Sequence, residues 1–109
     1  MWEIQIKISL KLVCQFKSEC MNLETFLKVL SAEDFPEPVL VIRERSGFLD
    51  NHAHPFEVRA LVTQGQIDIV IDGTKRTYLT GDVFHLPHSQ EHAESYGNEG
   101  VQYLASRKN

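Results

Sequence analysis

The chain has no apolar run near the roughly 18 residues that a membrane-crossing helix requires, so a helical membrane span is not expected. Positive charge is scarce and scattered. Lysine and arginine number 11 against 15 aspartates and glutamates, a net charge of −4. With no basic run to meet phosphates, nucleic acid is excluded as an expected partner. Cysteine is limited to Cys14 and Cys20. One pair without CxxC spacing makes no disulfide framework, and reduced thiols in a cytoplasmic protein are the expectation. The N-terminus lacks a basic stretch followed by a continuous apolar segment, so no secretory signal is expected. Gly47, Gly65, Gly73 and Gly81 read as turn glycines and not as a phosphate loop. No Ser-His-Asp or Cys-His grouping has a spacing that suggests a nucleophile.

The 109 residues, 42% of them hydrophobic, suit one domain with a modest core. Residues 2–16 alternate. Trp2, Ile4, Ile6, Ile8, Leu10, Leu12, Cys14 and Phe16 take one side, and only Val13 is apolar on the other. That is a half-buried strand pattern. Fifteen residues at about 3.3 Å each would span roughly 50 Å, longer than a small barrel is tall. Pairing with a second copy of the chain would cover such an edge, so residues 1–20 are expected to form an N-terminal strand at a homodimer interface. The alternative, a functional start at Met21, is opposed by the alternation.

Residues 21–38 hold a short helix and a linker. Asn22 is a good N-cap and Glu24 suits the first turn, while Leu23, Phe26, Leu27 and Leu30 make one apolar face fit to cover a sheet. Asp34 to Pro38 then breaks the pattern. Residues 39–109 read as all-β, with strands at 39–44, 52–63, 67–72, 76–79, 83–86, 92–96 and 101–105. Ser46-Gly47, Gly65, a type I′ signal at Asp72-Gly73, Gly81-Asp82 and Gly97 to Gly100 separate them. Ser106 to Asn109 read as a loose polar tail.

All five histidines fall between residues 52 and 92. His52 and His54 are two apart, so on a strand both rings point to one face and can converge on a metal ion. His92 follows the Gly81-Asp82 turn and Pro87, placed to join them. Neutral imidazole is the commonest ligand for first-row transition metals, and three such ligands leave positions open. His85 alternates with Phe84 and Leu86 and is expected to face outward, and His88 sits in a loop; neither is expected to ligate. Glu94 and Tyr96 share the face of His92 and could serve as a supporting acceptor and a pocket hydroxyl. Phe56 is a further candidate for the pocket lining. Arg59 is expected to point outward and pair with Asp68.

Two stretches together resemble the cupin superfamily. His52-Ala53-His54 and Gly65 match its first motif, and Gly81, Pro87 and His92 match its second. The likeness covers roughly residues 39–105, with the compact fifteen-residue spacing between Gly65 and Gly81. It departs where the first motif's glutamate falls on Val58, with Glu57 one residue early, and where Ser89 and Tyr96 replace the second motif's final Gly and Asn. Glu57 is a candidate additional ligand if a bulge turns it inward. The resemblance implies a cupin-like jelly-roll or double-stranded β-helix barrel, often dimeric, with a metal inside; together with the short N-terminal helix and strand read above, the expected fold is all-β.

The combined expectation is a divalent metal (iron, manganese, nickel, copper or zinc) held by His52, His54 and His92, beside a small polar or anionic organic ligand. As an enzyme it would be a metal-dependent dioxygenase, isomerase or lyase. The alternatives are a non-catalytic metal or small-ligand binding or sensor module, and a metal-free structural barrel.

Overall fold

A capping asparagine and a left-handed aspartate set the two ends of the helix. The computed structural model describes residues 21–109, so the alternating stretch 2–16, with Cys14 and Cys20, lies outside the described residues. Helix α1 spans Leu23–Ala32. The side chain of Asn22 accepts from the Thr25 N–H at 2.8 Å, as expected of the N-cap. At the other end Asp34 takes φ 60°. The Phe35 N–H then reaches back to the Leu30 carbonyl at 2.8 Å, and the Asp34 N–H to Ser31 at 3.2 Å, closing a Schellman turn. This folds Phe35 onto Leu30 in the cluster that also holds Phe26 and Leu61. Leu27, expected on the buried face, is 43% exposed, because Phe26 and Leu30 carry the contact.

Six strands follow: β1 Val39–Arg43, β2 Phe48–His52, β3 Glu57–Ile71, β4 Thr74–Leu79, β5 Val83–Leu86 and β6 His92–Lys108. The two long strands pair antiparallel along nearly their whole length, from Glu57↔Lys108 to Val70↔Ala93. Beside the first half of β3 lies β5, and beside the second half of β6 lies β1. Beside the second half of β3 lies β4, and beside the first half of β6 lies β2. The result is two four-stranded half-sheets that share β3 and β6.

Gly65 and Gly100 mark the bend between them. Both are left-handed, at φ 83° and 77°. A Cβ on Gly65 would lie 2.2 Å from the Gly100 carbonyl oxygen, so only glycine permits this approach. The register slips on both sides of Gly65. Here the structure corrects the sequence expectation. Gly65 and the Gly97–Gly100 stretch do not separate strands, because a left-handed glycine within a paired ladder makes a bulge and bends the strand without reversing it. Asp72 and Gly73, both at positive φ (50° and 79°), do reverse the chain as a type I′ pair would.

Folding the half-sheets face to face encloses Val58, Ala60, Val62, Ile67, Ile69, Phe84, Leu86, Tyr96, Val101, Tyr103 and Ala105. Leu61, with partly buried Val83 and Leu104, points to the opposite face of β3, where α1 sits. The helix covers one side of a sheet, as its apolar face implied. The fold is therefore an all-β barrel with one short helix. The expected loose tail is corrected too. β6 continues to Lys108, Ser106 is 1% exposed, and its hydroxyl donates to the Pro36 carbonyl. A polar residue can close a barrel when its hydroxyl has a buried partner. Among the described residues no helix is long and apolar enough to cross a membrane.

Candidate metal centre

Three imidazoles meet at one end of the barrel. His52 is the last residue of β2, His92 the first of β6, and the two are cross-strand partners. His54 belongs to neither strand. The expected run 52–63 breaks after His52, Pro55 lies in the gap, and β3 begins only at Glu57. The Ser89 N–H binds the His54 carbonyl at 2.9 Å and ties this loop to the Pro87 turn. Ring centroids lie 4.3 Å apart for His52 and His92, 4.9 Å for His52 and His54, and 5.3 Å for His54 and His92. So the rings converge, but by way of a loop and not through the pleat of one strand.

The fourth member is Glu94. One ligand atom from each of His52, His54, His92 and Glu94 fits within a group no wider than 4.8 Å. Glu94 Oε2 stands 3.0 Å from His92 Nε2 and 3.3 Å from His52 Nε2. Its other oxygen accepts from the Tyr96 hydroxyl at 2.9 Å, which fixes the carboxylate plane. All three β6 residues lie on one face by period-2 alternation, and all are buried: His92 at 0%, Glu94 at 6% and Tyr96 at 8% exposure.

The backbone fixes the tautomers. His52 Nδ1 lies 2.7 Å from the Asp50 carbonyl oxygen, and His92 Nδ1 lies 2.9 Å from that of Gln90. A carbonyl only accepts, so each Nδ1 carries the proton and each Nε2 lone pair faces Glu94. A lone pair opposite a carboxylate is unfavourable. It is relieved either by a second proton on the ring or by a cation between the groups. The His52 Nε2 is buried and has no hydrogen-bond partner. Burial works against a charged His92, but hydrogen bonds to Glu94 and to Gln90 outweigh it and raise its pKa. Burial alone would raise the Glu94 carboxyl; His92 and Tyr96 hold it below its ordinary value instead. Burial and the neighbouring rings of His52 and His92 lower the pKa of His54, which keeps it neutral. Burial, with Glu94 close by, pushes the Tyr96 hydroxyl well up, so it remains a donor.

Glu57 is not part of this group. Its carboxylate lies 2.6 Å from His85 Nε2, on the side of β3 that alternation assigns it. His85 is on that same outer side, opposite Arg59 in the register. His88 stays in its loop against the Ser89 hydroxyl at 2.8 Å. Arg59 pairs with Glu33 at 2.9 Å and not with Asp68, because α1 ends over this face. Asp68 instead accepts from Thr77 at 2.6 Å. Phe56 lies parallel to His54, 5.0 Å between centroids and 9° between planes.

A small cavity of about 50 Å³ opens beside the cluster, lined by His52, His54, Glu94, Phe56 and Val58 among others. Arg43 and Arg107 also line it, and neither was singled out from the sequence. Their signal was parity. Arg43 continues the inward series of Val41, and Arg107 that of Tyr103 and Ala105.

Neither a family model nor the sequence of a curated protein matches the chain. Solved structures do. The barrel is similar to the cupin domain of Schizosaccharomyces pombe Cnp3, with a TM-score of 0.60 and 14% identity over 69% of this chain and 59% of that one. It is similar to KdgF from Halomonas sp., with a TM-score of 0.56 and 23% identity over 66% of this chain and 67% of that one. DMSP lyase DddQ from Ruegeria pomeroyi DSS-3 matches with a TM-score of 0.58 and 20% identity, over 64% of this chain and 36% of the lyase. Likeness at this level of identity is a likeness of fold.

Proposed function

We propose that this chain, whose fold is the cupin barrel, binds one divalent transition-metal ion through His52, His54, His92 and Glu94 and presents it to a small polar or anionic organic ligand. One observation carries the reading. The Nε2 lone pairs of His52 and His92 face a single carboxylate oxygen while both Nδ1 protons are tied to backbone carbonyls. A divalent cation satisfies all three groups at once. Three neutral nitrogens and one carboxylate suit iron, manganese, nickel, copper or zinc. When bound, the metal would act as a Lewis acid on a ligand oxygen. The chain's own part is to fix the imidazole tautomers, orient Glu94 through Tyr96, and exclude water with Phe56 and Val58.

Elemental measurement of the purified, untagged protein tests this, with His52→Ala beside it. Near-stoichiometric metal that disappears in the variant is expected. No metal after dialysis against each ion would leave a metal-free barrel. Tyr96→Phe removes only the hydroxyl that holds Glu94. It is expected to weaken metal binding about tenfold while the fold persists, because supporting hydrogen bonds tune ligands on this scale. Unchanged affinity in a competition titration would show that Glu94 needs no such support.

With a metal bound, the same geometry suits an isomerase or lyase, in which the ion polarises a carbonyl or carboxylate; DddQ is itself described as a lyase. Dioxygen chemistry at iron is the related reading. A non-catalytic binding or sensor module is the second reading. It is favoured because the acid-base groups beside the histidines, Glu94 and Tyr96, already bind each other.

A homodimer belongs to the same proposal. Val39, Leu40, Ile42 and Phe48 are 53–65% exposed on the edge strands β1 and β2, an apolar margin that a second copy would cover. Ile42→Lys is expected to shift sedimentation toward monomer. Equal sedimentation of variant and wild type at matched concentration would count against this edge.

A further inference from the structure

Two guanidinium groups share the metal-site cavity with the histidines, and the described carboxylates leave both unpaired. Arg43 pairs with Val101 across β1 and β6, and Arg107 pairs with Val58 across β6 and β3. Val58 and Val101 are core residues, and directly opposed residues share a face. Both arginines are therefore rooted on the inner wall. They start from different positions along it and extend to the cavity that His52, His54 and Glu94 also line. Inward-rooted arginines in a small barrel are costly unless they meet an anion or reach solvent. Both side chains remain exposed.

Among the described residues neither guanidinium has a carboxylate within ion-pair distance. Glu94, the carboxylate that lines the cavity, is already engaged by His92 and Tyr96. Burial alone would lower the pKa of Arg43, but the neighbouring Tyr103 raises it, so the guanidinium keeps its charge. The guanidinium of Arg107 lies 5.4 Å over the Phe56 ring. Stacking of this kind positions a guanidinium while its in-plane N–H groups stay free. The arrangement is built to hold the two cations in place without neutralising them.

Charge then selects the ligand. A divalent ion, one carboxylate and two guanidiniums leave the site strongly positive, and one negative charge would leave it so. The cavity, at about 50 Å³, has room for a ligand's metal-binding end but not for its whole body. The remainder must lie outside it, within reach of the two exposed arginines that line it. We propose that Arg43 and Arg107 form a carboxylate clamp over the metal centre, and that the site takes a small organic dianion. One carboxylate sits between the guanidiniums while a second donor oxygen reaches the metal. The clamp rests on the metal-binding reading for its second contact only, since the arginine contact needs no ion.

Calorimetric titration tests it, with malonate as the probe and acetate and neutral malonamide as comparisons. Each is added to zinc-loaded and to metal-free protein, in wild type, Arg43→Gln, Arg107→Gln and the double variant. Zinc-loaded wild type is expected to bind malonate at least about tenfold tighter than acetate, and malonamide not at all. Each single change should weaken malonate by about 10–30-fold without weakening zinc, as loss of a charge-assisted contact does. Arg43→Lys should recover part of the loss. Thermal unfolding midpoints should match wild type, because both side chains are exposed. Equal affinity for malonate and acetate, or full malonate binding in the double variant, overturns the clamp. If the protein takes up no zinc, the metal reading fails, and the metal-free titrations then decide the clamp alone. Malonate binding that is lost with the arginines supports it, and binding indifferent to them overturns it.

Discussion

Changing His92 to alanine is expected to abolish metal uptake and to cost the metal-free protein about 3 kcal/mol. The side chain is fully buried, and its ring spans the gap between the Gln90 carbonyl and Glu94. Removing it leaves a buried carboxylate supported by Tyr96 and the more distant His52, and breaking one side of a buried ionic pair costs about 3–5 kcal/mol. Urea unfolding of stripped protein and elemental measurement read the two effects separately. A loss under about 1 kcal/mol would mean that water already screens Glu94.

The same pair sets a pH dependence whose two limbs have opposite signs. Glu94 has its pKa lowered from 4.5 in the folded state, so its stabilisation is present above that value and lost as pH falls through the folded pKa. His92 has its pKa raised from 6.5, so its stabilisation is complete below that value and lost as pH rises through the folded pKa. Metal-free protein should therefore be most stable between about pH 4.5 and 6.5 as far as this pair is concerned. Bound metal requires neutral imidazole and should remove the alkaline loss while steepening the acid one. A urea midpoint that keeps rising above pH 7 without metal would show that His92 enters the folded state uncharged.

The second large effect belongs to Gly65. Gly65→Ala is expected to destabilise the protein by on the order of 4 kcal/mol, combining left-handed strain with a backbone collision. The added Cβ would meet the Gly100 carbonyl at 2.2 Å and the Val101 Cα at 3.0 Å, and neither is a side chain that can swing away. Gly73→Ala is the internal comparison. Its φ of 79° carries similar strain, but nothing lies within 4 Å of the new carbon. It should cost only about 1 kcal/mol. Equal losses in the two variants would mean that conformation alone, and not the contact between β3 and β6, demands glycine at the bend.

The histidines were legible because their spacing and the strand pattern around them are local. His52 and His54 sit two apart, and His92 opens a strand that alternates cleanly through Glu94 and Tyr96. The carboxylate was harder to place. Counting back from Gly65 reaches Val58, which is a wall residue 6% exposed, and the acid comes instead from β6. Its offset of two from His92 gave the right face, but the sequence alone assigned it a supporting role. Arg59 meeting Glu33 could not be read, since nothing local says where a helix end will dock on a strand. Gly65 was misread for a related reason: the same left-handed residue serves a reversal or a bulge, and only the partner strand decides which. Ser106 looked like tail because its polarity is visible in sequence and its bond to Pro36 is not.

The shared long strands also set an order of assembly. Val70 and Ala93 are the β3–β6 partners nearest along the chain, and Glu57 and Lys108 are the farthest. Closing a loop costs more entropy the longer it is, so the ladder is expected to zip from the Val70–Ala93 end once the Asp72-Gly73 hairpin has formed. Ala93 and Glu94 enter the ladder first, next to His92, and Arg107 enters near its end. A nascent chain would thus set the Glu94 side of the proposed metal site before the wall that carries Arg107 exists.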